Sequence, residues 1–319
     1  MRQKHLAALP ALETHGFDFL GFNQYIHTGY RVHHTWTDCV LSLFEFHNET
    51  LNVWTHLVGA ILFLGLCGLS AMTAWSPPSV LKPHFHPFHL EHGLFTPTTY
   101  VHSPRLQVPP SEVFLSHGQH VSQWPIVVYA SGVAICFACS AIYHLMYIQS
   151  LAWCDWFIQV DYAGIIVLIA SAFVPFLYYS FYCNPTIQAI YLSIVAILAV
   201  ASLVASFAPS FQAHPNIRTG VFLCLAGFGL VPLVHLIRAH GIRDANVQMT
   251  LRALGHTSVF NFMGIFFYVT RFPESRFPGR FDVVGASHQL WHLCVLAASL
   301  VHYTNSVEHF ELRCMMPCN

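Results

Sequence analysis

Long apolar stretches separated by short polar connections occupy most of the 319-residue chain. Seven are candidates for membrane helices: Val53–Trp75, Ile126–Ile148, Phe157–Tyr179, Thr186–Phe207, Thr219–Ile237, Leu251–Thr270 and His288–Tyr303. A hydrocarbon core about 30 Å thick needs about 20 mostly apolar residues per helix, and these stretches approach or exceed that length. The second to fourth carry almost no charge, whereas the last two are more polar. The pattern predicts a polar arm over 1–52, a seven-span domain over 53–303 and a short tail over 304–319. One connection breaks the rhythm: 76–123 holds clustered proline and histidine and reads as an irregular, solvent-facing insert. Its His84, His86, His89 and His92 read as mobile surface side chains rather than metal ligands. Pro175 and Pro232 fall inside apolar runs and are expected to kink their helices.

Composition strengthens this picture. Hydrophobic residues make up 55% and charged residues 8%, against about 25% charged in a typical soluble domain. A net charge of −1 offers no field for phosphates, so nucleic acid is not an expected partner. The arm Met1–Asn52 is too polar and too broken for a signal peptide, leaving targeting to the first stretch. Most of the ten cysteines lie in apolar runs (Cys67, Cys136, Cys139, Cys224, Cys294) and act there as small hydrophobes. Cys314 and Cys318 read as part of a plain tail. Lys and Arg number seven on the side of the N-terminus and six on the other, which sets no orientation; the denser short clusters in the arm and the sixth connection lean weakly to an inside N-terminus.

Polar residues inside membrane helices are costly, which makes them functional candidates. Counting crossings puts Ser140 and His144, Asp161, and His288 and His292 at the bundle end where the N-terminus starts. His235, His256 and His302 fall at the other end without paired spacing. His288 and His292 form an H-x-x-x-H pair, one helical turn or about 6 Å apart on a single stripe. With His144 they make three imidazole ligands, the open arrangement of catalytic zinc. Copper, nickel or iron also accept such a set. Ser140 shares a stripe with His144, and Asp161 needs a partner at that depth. A plain hydrogen-bonded cluster at the helix ends accounts for the same five residues. Asn48-Glu49-Thr50 is formally a sequon, but Glu49 and Asn52 read better as caps of the first helix or contacts to a neighbouring helix end.

Several ordered segments carry a family resemblance. They are Asn48-Glu49-Thr50-Leu51-Asn52-Val53-Trp54-Thr55-His56, Ser140-x-x-x-His144, Asp161-Tyr162-Ala163-Gly164, Arg271-Phe272-Pro273-Glu274, and Ser287-His288-Gln289-Leu290-Trp291-His292. The chain resembles the progestin and adipoQ receptor family, its adiponectin-receptor-like branch in particular, over about Gly29 to Glu311. The resemblance implies an all-α, seven-transmembrane bundle with a cytosolic N-terminus and an outside C-terminus. It also implies Zn2+ near the inner leaflet on His144, His288 and His292, with Asp161 beside the reacting water. Alkaline ceramidases, in the wider superfamily, share the Ser, His, Asp and H-x-x-x-H pattern. The long insert departs from the animal receptors.

Two function classes follow. One is a receptor-like protein with a zinc-dependent amide hydrolase site for a ceramide-like membrane lipid, in which Asp161 orients water and Ser140 supports the oxyanion. The other is a receptor or scaffold in which zinc only ties helices together. A channel or transporter has less support, since the second to fourth stretches lack the ring of carboxylates or the interrupted half-helices of such proteins. Any extracellular ligand is left unnamed by the sequence.

Overall fold

The computed structural model describes residues 5–75, 121–316 and 318. The readings made of the insert, its four histidines included, lie outside the described residues apart from 121–123. The arm opens with strand β1 (His5–Ala7), helix α1 (Leu12–His15), strand β2 (Tyr30–Val32) and helix α2 (Trp36–Leu41). The strands pair antiparallel, with Leu6 opposite Arg31, so a small two-stranded sheet is added to the expected all-helical fold.

The bundle follows as α3 (Thr50–Trp75), α4 (Trp124–Met146), α5 (Leu151–Ser180), α6 (Pro185–Ser206), α7 (Pro209–Ala213), α8 (Pro215–Gly227), α9 (Leu230–His240), α10 (Ala245–Thr270) and α11 (Ser287–Met315). Helix starts match local chemistry. The Ser150 hydroxyl accepts from Trp153 N–H at α5, and Asp244 accepts from the N–H groups of Asn246 and Val247 at α10. Among the described residues five stretches are long and apolar enough to cross a membrane: Thr50–Met72, Trp124–Gln149, Leu151–Ser180, Pro185–Ser206 and Asn216–His240. α10 and α11 are long enough, at 26 and 29 residues, but more polar, in keeping with the weaker pattern of the last two stretches.

Two of these stretches differ in detail from the sequence pattern. The fifth stretch is broken at Phe228–Gly229 into α8 and α9, because Pro232 has no N–H for the Phe228 carbonyl and its ring crowds that group. Pro175, by contrast, sits inside the continuous helix α5. The last helix also continues past Tyr303 to Met315. Its far end is anchored by Arg313, whose Nε donates to Tyr179 O at 2.6 Å and so caps the C-terminus of α5. There Cys318 forms a disulfide with Cys183, which removes it from the plain-tail reading. The other cysteines are free.

Close helix contact positions the site. A Cβ on Gly132 would lie 2.1 Å from the Ser171 hydroxyl, and one on Gly164 would lie 3.1 Å from Cys136 Cα. Only glycine lets α4 and α5 approach this closely, which sets Asp161 level with Ser140. Phe63, Tyr129, Val133 and Phe137 are fully buried where α3 meets α4, and Tyr303 of α11 closes that cluster.

Candidate metal centre

The N-termini of α3 and α11 and the C-terminus of α4 meet at one end of the bundle, beneath the arm. His144 comes from α4, and His288 and His292 from the first two turns of α11. Their ring nitrogens converge: His288 Nε2 stands 3.3 Å from His144 Nε2 and 3.2 Å from His292 Nε2. His144 and His292 are buried and His288 is half-buried. Among the described residues this is the one group of three His, Cys, Asp or Glu side chains placed to hold a metal.

The outward nitrogens fix what the inward ones can do. His144 Nδ1 lies 2.8 Å from Glu49 Oε2, a carboxylate that only accepts, so Nδ1 carries the proton. His292 Nδ1 lies 3.2 Å from the Asn52 carbonyl and is a donor on the same ground. Both rings therefore turn bare Nε2 lone pairs inward. A single proton on His288 Nε2 satisfies at most one of them, whereas a cation satisfies all three. Ligand bonds of about 2.0–2.1 Å in tetrahedral array put nitrogens roughly 3.3 Å apart, the spacing observed. The donor set fits a divalent metal.

Glu49, buried under the arm, is the centre's outer anchor. Asn52 Nδ2 donates to Oε2 at 2.5 Å and the Tyr147 hydroxyl to Oε1 at 3.2 Å. Burial opposes its ionisation. The neighbouring imidazole of His144 and the bonds from His144 and Asn52 more than offset that, holding the carboxyl well below the usual carboxylate range. Behind it, Arg31 of β2 is buried and donates from Nη1 to Ser42 Oγ (2.7 Å) and Leu145 O (3.1 Å), and from Nη2 to His144 O (2.7 Å). Leu145 O and His144 O are carbonyls at the end of α4, so a guanidinium from the arm caps the helix that carries His144. His47 completes this layer as a neutral ring: its Nδ1 accepts from Glu49 N–H, and burial together with Arg31 lowers its pKa to about 3.

The start of α11 is held separately. Glu274 is buried and accepts from Ser287 N at 2.7 Å, from the Ser287 hydroxyl and from Asn23 Nδ2 at 3.2 Å. Asp282 accepts from His27 N and Thr28 Oγ1, tying the loop before α11 to the arm. Glu274, noted in the sequence only within the Arg271–Glu274 resemblance, and Asp282 thus set the register of His288 and His292.

Ser140 is buried one turn before His144, with the carboxyl group of Asp161 close to both. All five residues singled out in the sequence therefore gather at one end. Asn48 is buried, in keeping with its reading as structural rather than glycosylated. His302 bonds to Ala172 O and His235 to the Tyr191 hydroxyl, so neither joins the centre. Arg31 and His56 were missed. His56 is buried without a hydrogen-bond partner and stacks on His292 at 3.7 Å, on the same α3 stripe as Asn52. That i, i+4 spacing was its only signal.

The fold and site define an integral, multi-pass membrane protein with a buried three-histidine centre that could bind a metal. Residues 44–303 match the haemolysin-III related family, and the chain belongs to that family. Its relatives include heptahelical transmembrane protein 3 of Arabidopsis thaliana, 31% identical over 287 residues that cover 89% of this chain and 83% of that protein. The adiponectin receptor protein of Drosophila melanogaster is 32% identical over 296 residues, covering 92% of this chain and 58% of that protein. Progestin and adipoQ receptor-like protein 1 of Caenorhabditis elegans is 27% identical over 289 residues, covering 90% and 57%.

Proposed function

We propose that this adiponectin-receptor-like protein crosses the membrane seven times and carries a zinc-dependent hydrolase site for a ceramide-like lipid amide. The observation that carries this reading is the convergence of three ring nitrogens near the Asp161 carboxyl group. The seven spans are α3, α4, α5, α6, α8 with α9, α10 and α11. The N-terminus is then cytosolic and the C-terminus outside. The Cys183–Cys318 disulfide supports this orientation, since disulfides persist outside the reducing cytosol and this one sits at the end away from the histidines.

His144, His288 and His292 would hold the ion. Bound zinc supplies a Lewis acid and lowers the pKa of water to about 7. Asp161 orients the attacking water and takes its proton as the oxygen–acyl carbon bond forms. The same carboxyl returns that proton to the amine nitrogen as the C–N bond breaks, leaving a fatty acid and a free amine. The Ser140 hydroxyl, one turn before His144 on α4, would support the oxyanion. Asp161→Asn is expected to retain metal and lower amide cleavage by about 10²–10⁴-fold, the usual worth of a general base. Fluorogenic ceramide turnover beside metal content measures both; unchanged cleavage removes Asp161 from the mechanism.

A second reading has its own support. Because His292 is bonded to the Asn52 carbonyl and His144 to Glu49, an ion here would fasten α3, α4 and α11 together. On that reading zinc is structural, an unidentified ligand outside shifts helix packing, and Asp161→Asn leaves signalling intact.

A further inference from the structure

Outside the metal centre, the arm carries a run of apolar side chains that stay largely exposed. Between Trp36 and Phe46 the chain exposes Trp36, Val40, Leu41, Phe44 and Phe46, the last two at 81% and 78%. The run does not cross a membrane: α2 has six residues, a three-residue 3-10 helix (Ser42–Phe44) follows, and the polar His47–Glu49 turn separates it from α3. Its other face is committed to the protein. Cys39 and Ser42 are fully buried, the latter on Arg31.

The depth of this run is fixed by two contacts. Trp54 Nε1 in the first turns of α3 donates to Leu43 O at 2.8 Å, and the Phe44 ring lies 6.4 Å from the Trp54 ring. At the other end Trp36 meets Trp153 edge to face at 5.1 Å. Trp153 and Trp156 belong to the first two turns of α5, beside exposed Leu151. α5 has 30 residues and so rises about 45 Å, some 15 Å more than a hydrocarbon core, and its end turns must lie among headgroups. Tryptophan is the residue enriched at that level. The plate is therefore continuous with the lipid-facing exterior of the bundle and stands at its headgroup rim.

We propose that residues 36–46 lie in the plane of the membrane interface as a half-inserted anchor, with Phe44 and Phe46 among the upper acyl chains. Such elements bury an apolar face about 5–10 Å into the headgroup and acyl boundary. The partner is the bilayer itself, and the attachment is apolar rather than electrostatic. No Lys or Arg occurs from Val32 to Leu81, and the acidic residues Asp38 and Glu45 flank the plate. Zwitterionic lipid is sufficient, and salt does not release the anchor. The anchor also holds the arm, with Arg31 and Glu49, at a set depth over the histidine centre.

The test uses the full chain in phosphatidylcholine nanodiscs, with an environment-sensitive fluorescent amino acid in place of Phe44, Phe46 or, as a water-facing control on the arm, Glu13. Emission from positions 44 and 46 is expected to be blue-shifted, strongly quenched by lipid brominated high on the acyl chain, nearly unaffected by aqueous iodide, and unchanged at high salt. The Glu13 position should show the opposite quenching. Iodide quenching without bromolipid quenching at both 44 and 46 overturns the proposal, as does release by salt. A photocrosslinking residue at Phe44 that yields dimers instead of lipid adducts overturns it too, and assigns the plate to a second copy of the chain.

Discussion

Glu49→Ala is expected to weaken metal binding by about 10- to 100-fold, the usual cost of losing the carboxylate behind a ligating imidazole. The carboxylate fixes the His144 tautomer that turns Nε2 toward His288, and without it the ring is free to rotate and to carry its proton on the wrong nitrogen. Competition with a chromophoric chelator measures the affinity, and melting in detergent separates a metal effect from collapse. Glu49→Gln keeps the shape but offers His144 a weaker, neutral acceptor, so it should fall between wild type and alanine. Folding lowers the pKa of Glu49, so its contribution to stability is full above the usual carboxylate range. That contribution is lost as pH falls through the lowered value. A Glu49→Ala protein with wild-type affinity would mean that His144 is oriented by packing alone.

Arg31→Met should destabilise the protein by on the order of 4 kcal/mol, read as a large drop in melting temperature. A hydrogen bond from a charged donor contributes about 1.5–3 kcal/mol, and three end here on Ser42 Oγ, Leu145 O and His144 O. Methionine fills much of the space but leaves both carbonyls buried without partners. Arg31→Lys keeps the charge and loses the planar fork, so one ammonium cannot serve all three acceptors; an intermediate loss is expected. Because the lost cap frees the last turn of α4, metal retention should fall together with stability. A stable Arg31→Met protein that holds metal normally would show that the arm is dispensable for the centre.

These two residues also mark where sequence reasoning stops. His288 and His292 were readable because one helical turn separates them, and His144 and Asp161 because crossing parity put them at the same end. Glu49 read as a helix cap or a contact to a neighbouring helix end, and the second holds, but its partner is 95 residues away and no local pattern names His144. Arg31 was hidden for the same reason, and a lone arginine in a polar arm looks solvated until the fold buries it. Cys183 and Cys318 are 135 residues apart, each beyond a helix end, so only the packing of α5 against α11 reveals their pairing. The interruption beside Pro232 was visible as a proline in an apolar run. At Pro175 the same residue type leaves the helix continuous.

The most direct measurement is metal content by elemental mass spectrometry, on detergent-purified wild type beside a His288→Ala, His292→Ala double variant. About one zinc per chain in the wild type and almost none in the folded variant is the expected result, since two of the three ligands of an open site are gone. A folded, monodisperse wild type that carries no metal, or a double variant that keeps its zinc, would contradict the centre and the hydrolase built on it.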